Sequence, residues 1–164
     1  MNTFIVDANI EQSADLLDQR RLFSSVYEGI HGLASLLNVS DKLVNPKKPK
    51  ANHPCAKQYV DYTVFWYRVL KTYYDVWWEK FANKEKYTKD GTINAQNLKM
   101  LAKVIEGNAT TNIWFTPKFF NIYMVRMHRN VLYWKDPIFY SNWYTEDVIP
   151  MQYFSWDLHK FVLP

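Results

Sequence analysis

"CAKQYVDYTVFWYRVLKTYYDVWWEKF" (residues 55–81) decides the fold. Tyr59, Tyr62, Phe65, Trp66, Tyr67, Tyr73, Tyr74, Trp77 and Trp78 leave it almost no wholly polar face. A helix that is apolar nearly all round belongs at the centre of a protein rather than on its surface. Pro54 precedes the stretch and suits the first turn of a helix, where its missing N–H costs nothing. The spacing predicts a central helix from Cys55 to about Phe81.

Upstream, Ala14, Leu17, Leu22, Ile30, Leu33, Leu36 and Leu37 recur near helical spacing. They predict one long helix over 10–37, slightly kinked around Gly29 and Gly32, with Asn38 after its end. "TFIV" (3–6) reads as a short extended lead-in, followed by the turn-like "DAN". "NVSDKLVNPKKPKANHP" (38–54) has prolines, lysines and no periodicity, and reads as a loop. Downstream, "NKEKYTKDGT" (83–92) reads as a polar connection turning at Asp-Gly. A shorter helix over 93–106 ends at Gly107, and "NATTNIWFTP" is irregular. Pro117 opens a helix to about Trp134, and Pro137 starts a last short one. The expected fold is all-α: a single compact helical domain over residues 1–164 with a short extended N-terminal segment.

Composition narrows the function. Lys plus Arg total 20 against 16 acids, a net charge of +4, which suits a polyanionic partner without demanding one. The aromatic share of 18% exceeds what so small a core can hide, so some rings must be partly exposed. A single cysteine, Cys55, rules out an intrachain disulfide and suits a reducing cytosol. The chain shows no secretory signal and no membrane-spanning apolar run. Only four glycines are present, with no Gly-rich phosphate loop. His31, His53, His128 and His159 show no zinc-ligand spacing. The expectation is a cytoplasmic protein with no metal and no cofactor.

Three groups of residues carry candidate chemistry. Arg21 and Glu28 lie two helical turns apart on one face, with Ser24 and Ser25 between them and Arg20 alongside. They read either as a solvated edge or as an acid presented beside a cation in a cleft. In "NHP" (52–54), Asn52 can cap a helix, and His53 then stands where backbone N–H groups point outward. That is plain capping, or a place for a phosphate or an extruded base. In "HRNVLYWKDPIFYSNWY" (128–144), His128 and Lys135 share a side with Val131 and Leu132, and Arg126 and Arg129 project nearby. The rings are core, or they alternate with cations as backbone contact plus base stacking requires.

Three stretches taken together resemble a family. "MNTF…SADLLDQRRL…YEGI" (1–30), "NHPCAKQY" (52–59) and the 128–144 stretch look like the pyrimidine dimer DNA glycosylases of the endonuclease V type, in a bacterial and phage branch. The likeness covers roughly residues 1–37, 51–82 and 117–144, and 83–116 finds no counterpart. It implies a DNA N-glycosylase with abasic-site lyase activity on damaged or modified pyrimidines. The α-amine of the chain start, on Met1 or Asn2, attacks the sugar and forms an imine. Glu28 matches the family's catalytic carboxylate. Arg20 and Arg21 hold phosphates, and His53 and His128 line the pocket, with Arg129 and Lys135 on the DNA face. The implied partner is duplex DNA, bound by a monomer in the cytoplasm, at the nucleoid or on viral DNA. Between Arg21 and Glu28 the sequence reads "LFSSVY", where the family carries basic residues. A non-catalytic nucleic-acid-binding module on the same scaffold is the alternative.

Overall fold

In the computed structural model, residues 3–46, 63–82, 85–107, 122–145, 154–155 and 160–161 are described. The apolar pattern read as one helix over 10–37 is two: α1 (Ile10–Leu16) and α2 (Gln19–Leu36). The break comes from Leu17 and Asp18, both extended, with ψ of 143° and 164°. Asp18 restarts the helix as its N-cap, its carboxylate accepting the Arg21 N–H at 2.7 Å. Leu17 stays buried at the corner, so the apolar repeat runs through the break and hides it. α2 runs on through Gly29 and Gly32, where the slight kink was expected. It ends where Asn38 takes up a left-handed φ of 57° and the Val39 N–H reaches back to the Ala34 carbonyl at 2.9 Å.

The aromatic stretch supplies α3 (Thr63–Trp77), which runs into a π-turn over Trp78–Ala82. Its predicted start at Cys55 lies outside the described residues. Trp66, Tyr73 and Trp77 on α3 are among the largest fully buried side chains of the molecule. The helix packs against α1, α2 and α4 (Thr88–Glu106), which makes it the central element.

α4 starts earlier than expected, because Asp90-Gly91 is no turn but lies inside the helix. Gly91 is there for proximity. A Cβ on it would run into the Trp78 ring, with Cε3 at 2.6 Å, and the Tyr74 hydroxyl donates to its carbonyl at 3.1 Å. Gly107 caps the far end as the sequence predicts.

α5 (Ile122–Lys135) buries Leu132 and stops at Lys135-Asp136-Pro137; residues 117–121 lie outside the described set. The short helix expected from Pro137 is a tight turn followed by a 3-10 segment over Ser141–Thr145. Through it Tyr140 and Trp143 fold back into the core, their rings stacked at 4.2 Å. A minimal antiparallel pairing, β1 (Phe154–Ser155) with β2 (Lys160–Phe161), completes the described residues. The fold is all-α, and among the described residues no helix is long and apolar enough to cross a membrane.

Candidate functional site

Residues 3–6 belong to no helix or strand and are buried, with Thr3 and Val6 fully inaccessible. A buried segment outside regular structure must have its peptide groups satisfied by its neighbours. Among the described residues no strand pairs with it, and side chains of the surrounding helices do that work instead. Ser25 of α2 accepts the Phe4 N–H on its hydroxyl (3.3 Å), while its carbonyl accepts from the Thr3 hydroxyl (3.2 Å). Ser13 of α1 accepts the Val6 N–H at 2.9 Å. Tyr73 of α3 donates to the Phe4 carbonyl at 2.6 Å. Ser13 Oγ and Tyr73 Oη are also 2.6 Å apart. Since the Tyr73 proton is directed at Phe4, Ser13 is the donor of that pair. The result is a directed chain of hydrogen bonds from the Val6 N–H through Ser13 and Tyr73 to the Phe4 carbonyl. Burial pushes the Tyr73 hydroxyl well above the usual phenol range, so it remains a donor.

α5 closes the other side. Arg129 Nε donates to the Val6 carbonyl at 2.6 Å, and its guanidinium lies 3.5 Å from the Asp7 carboxylate and over the Trp143 ring. His128 Nδ1 lies 2.9 Å from the Ile5 nitrogen and 3.1 Å from its oxygen, and a single ring nitrogen cannot serve both. The Ile5 N–H points at Nδ1, which must then be bare, leaving the ring proton on Nε2. Nε2 is buried with no hydrogen-bond partner among the described residues. Burial pulls the His128 pKa down to about 4, outweighing the upward pull that the Ile5 carbonyl would exert by accepting from a protonated Nδ1.

His128 therefore does not line an open pocket. It is 2% exposed, with Phe4 packed edge-on against it at 5.4 Å, and it anchors the N-terminal segment. Lys135, one helical face further on, is exposed, and its ammonium stands 5.6 Å from the Phe4 ring. Met1, Asn2 and His53 lie outside the described residues.

On α2 the candidate acid and cation lie on either side, in sequence, of Ser25, which holds the docked segment. Ser25 holds Thr3 and Phe4, and a Cβ at Gly29 would meet Leu70 and come within 2.9 Å of the Thr3 hydroxyl. Thr3 thus packs against the residue that follows Glu28, and Glu28 itself is half-buried. Toward the N-terminal end of α2, Arg21 pairs with Asp18 at 3.3 Å and lies 4.0 Å from Asp136. The Asp18 N–H donates to the Tyr140 hydroxyl at 3.1 Å. "LDQRRL" and "KDPIFY", far apart in sequence, are one structural joint. Arg20, next to it, is exposed.

Ser13, Tyr73, Asp18 and Asp136 were not among the sequence candidates. The available signal was indirect: buried hydroxyls on helices, and an apolar N-terminal tetrapeptide with no strand to join. Among the described residues no group of histidine, cysteine and acidic side chains could hold a metal ion. No protein-family model matches the sequence, and no curated protein and no solved structure matches it either.

Proposed function

We propose that the protein is a DNA N-glycosylase with abasic-site lyase activity on damaged or modified pyrimidines, its nucleophile the α-amine at the start of the chain. The observation that carries this reading is the clamped N-terminal segment, with Thr3 packed against Gly29 beside Glu28. The reading requires an amine one or two residues before Thr3 to reach that carboxylate, and two residues can span about 7 Å. Side chains from α1, α2, α3 and α5 hold the segment that leads to the proposed nucleophile.

The chemistry suits the groups. An α-amine has a pKa of about 7.7–8.0, so roughly a tenth is unprotonated at neutral pH, far more than of a lysine. Its lone pair attacks the sugar C1′, and the C1′–N bond to the base breaks, the base leaving with the bonding pair and taking a proton. Opening of the sugar ring gives an imine between the amine and C1′. Loss of a proton from C2′ then expels the 3′ phosphate and cuts the strand, and water releases the amine. Glu28 stabilises the cationic sugar and carries the C2′ proton. Arg20, Arg21 and Lys135 contact phosphates. The resemblance of the three motifs to the pyrimidine dimer glycosylases supports the same assignment.

Borohydride trapping tests it. Protein is mixed with labelled duplexes carrying an abasic site or a thymine dimer, beside an N-terminally blocked sample. The expected result is a covalent adduct that the blocked protein fails to form. DNA binding without an adduct on either duplex would leave a non-catalytic binding module.

A further inference from the structure

Two neighbouring residues of α5 grip two neighbouring residues of the N-terminal segment by their peptide groups. His128 Nδ1 accepts the Ile5 N–H at 2.9 Å, and Arg129 Nε donates to the Val6 carbonyl at 2.6 Å. The Arg129 guanidinium also reaches the Asp7 carboxylate at 3.5 Å and lies 5.6 Å from the centre of the Trp143 ring. Asp7 in turn accepts the Asn9 N–H at 2.8 Å, and Asn9 caps α1 by accepting the Gln12 N–H at 2.9 Å. With Ser25, Tyr73 and Ser13 holding Phe4 and Val6, the chain is tied down at Phe4, Ile5, Val6, Asp7 and Asn9.

A grip on the backbone fixes where the chain runs, whatever side chains it carries. Packing alone does not call for it. An apolar residue would fill the place of His128, which is 2% exposed and leaves Nε2 without a hydrogen-bond partner among the described residues. Burial also keeps His128 neutral at ordinary pH, so Nδ1 stays available as an acceptor. Arg129 turns toward the Val6 carbonyl and Asp7 donors of the kind a phosphate contact would use. We propose that His128 and Arg129 are positioning residues, which hold the Ile5 and Val6 peptide groups so that the α-amine at the chain start meets the sugar and Glu28 in register. Arg129 then belongs to this clamp rather than to the DNA face. The inference rests on the imine reading above and adds to it the means by which the nucleophile is aimed. The chain reaches Met1 and Asn2 through the clamped residues, so a shift at the clamp is passed on to the amine. A misplacement of about 1 Å is enough to slow a reaction roughly 100-fold.

His128→Leu and Arg129→Met each remove one contact, and His128→Gln keeps an acceptor for the Ile5 N–H. Borohydride trapping is timed on a saturating abasic duplex, well below each variant's melting midpoint, and binding to the same duplex is titrated across salt concentrations. His128→Leu and Arg129→Met should trap roughly 10- to 100-fold more slowly than wild type. His128→Gln should restore most of the rate. Half-saturation and salt slope should be unchanged in all three, a split that lower stability alone would not produce. Arg129→Met carries the test if His128→Leu shows no cooperative melt. Wild-type trapping rates in both variants would overturn the clamp's role and leave the imine reading standing. A salt slope reduced by about one in Arg129→Met, with trapping at saturation unchanged, would return Arg129 to the DNA face. Binding of wild type without any adduct would overturn the imine reading, and the clamp's role with it.

Discussion

A proton on His128 would take away the acceptor that the Ile5 N–H uses and place a charge where burial excludes water. The ordinary histidine value of 6.5 falls to about 4 in the fold, so between these pH values the unfolded chain binds a proton that the folded chain refuses. The stability this provides is complete above about pH 6.5 and is lost as the pH drops toward 4, a difference of roughly 3 kcal/mol. His128→Gln, whose amide oxygen can still accept from Ile5, should flatten this part of the pH dependence. Urea midpoints at pH 7 and pH 4.5 for both proteins check it, since carboxylate contributions are common to the two and cancel. A second prediction concerns Gly29, where any side chain must displace Leu70 or Thr3. Gly29→Ala should cost about 1–3 kcal/mol by overpacking, read as a lower urea midpoint, although alanine is the better helix former. Sequence reading singled out both positions, His128 as a pocket wall and Gly29 as part of a kink, without seeing the packing that surrounds them. A residue's type marks it as unusual, but only the neighbours brought in by the fold say whether it is packed or presented.

The N-terminal segment behaves as an element in its own right, held by serines, a tyrosine, a histidine and an arginine in place of a partner strand. Tyr73→Phe removes the hydroxyl linking Ser13 to the Phe4 carbonyl and leaves that buried carbonyl without its donor. The expected loss is about 1–3 kcal/mol. Hydrogen exchange should show faster opening at Val6, whose acceptor Ser13 loses its own anchor, with amides of α4 little changed. This is a change in the segment rather than in the whole fold. The elements themselves were largely legible. The unbroken aromatic surface of α3 announces its central place, and Asn38 and Gly107 mark helix ends in ordinary ways. The break at Asp18 was not legible, because Leu17 and Leu22 stay buried on either side and keep the apolar repeat in phase. The early start of α4 was hidden by Asp-Gly, a turn signal overridden when Trp78 packs on the bare glycine. The roles of Ser13 and Tyr73 follow from the segment having no strand partner among the described residues, which is a tertiary fact.

At the scale of the whole molecule, the proposed function assigns binding and chemistry to different residues, so the two should be separable. Arg20 and Lys135 are exposed cations, and α2 and the turn after α5 are joined through Arg21 and Asp136. Phosphate contacts of this kind make affinity fall linearly with the logarithm of salt concentration, each costing about one unit of slope. Glu28 contributes nothing attractive to that term. Glu28→Gln should therefore bind an abasic duplex at least as tightly as wild type, with the same salt slope, and cut it at least about 100-fold more slowly, the usual scale for a lost general base. Lys135→Ala should do the reverse, reducing the slope by about one and weakening binding on every sequence alike. The proposed amine nucleophile adds a signature of its own. Because its lone pair is freed on deprotonation, the rate of imine trapping should climb with pH until about 8 and then level off. A Glu28→Gln protein that cut abasic DNA at the wild-type rate would remove the carboxylate from the mechanism. A trapping rate indifferent to pH between 6 and 8 would remove the amine.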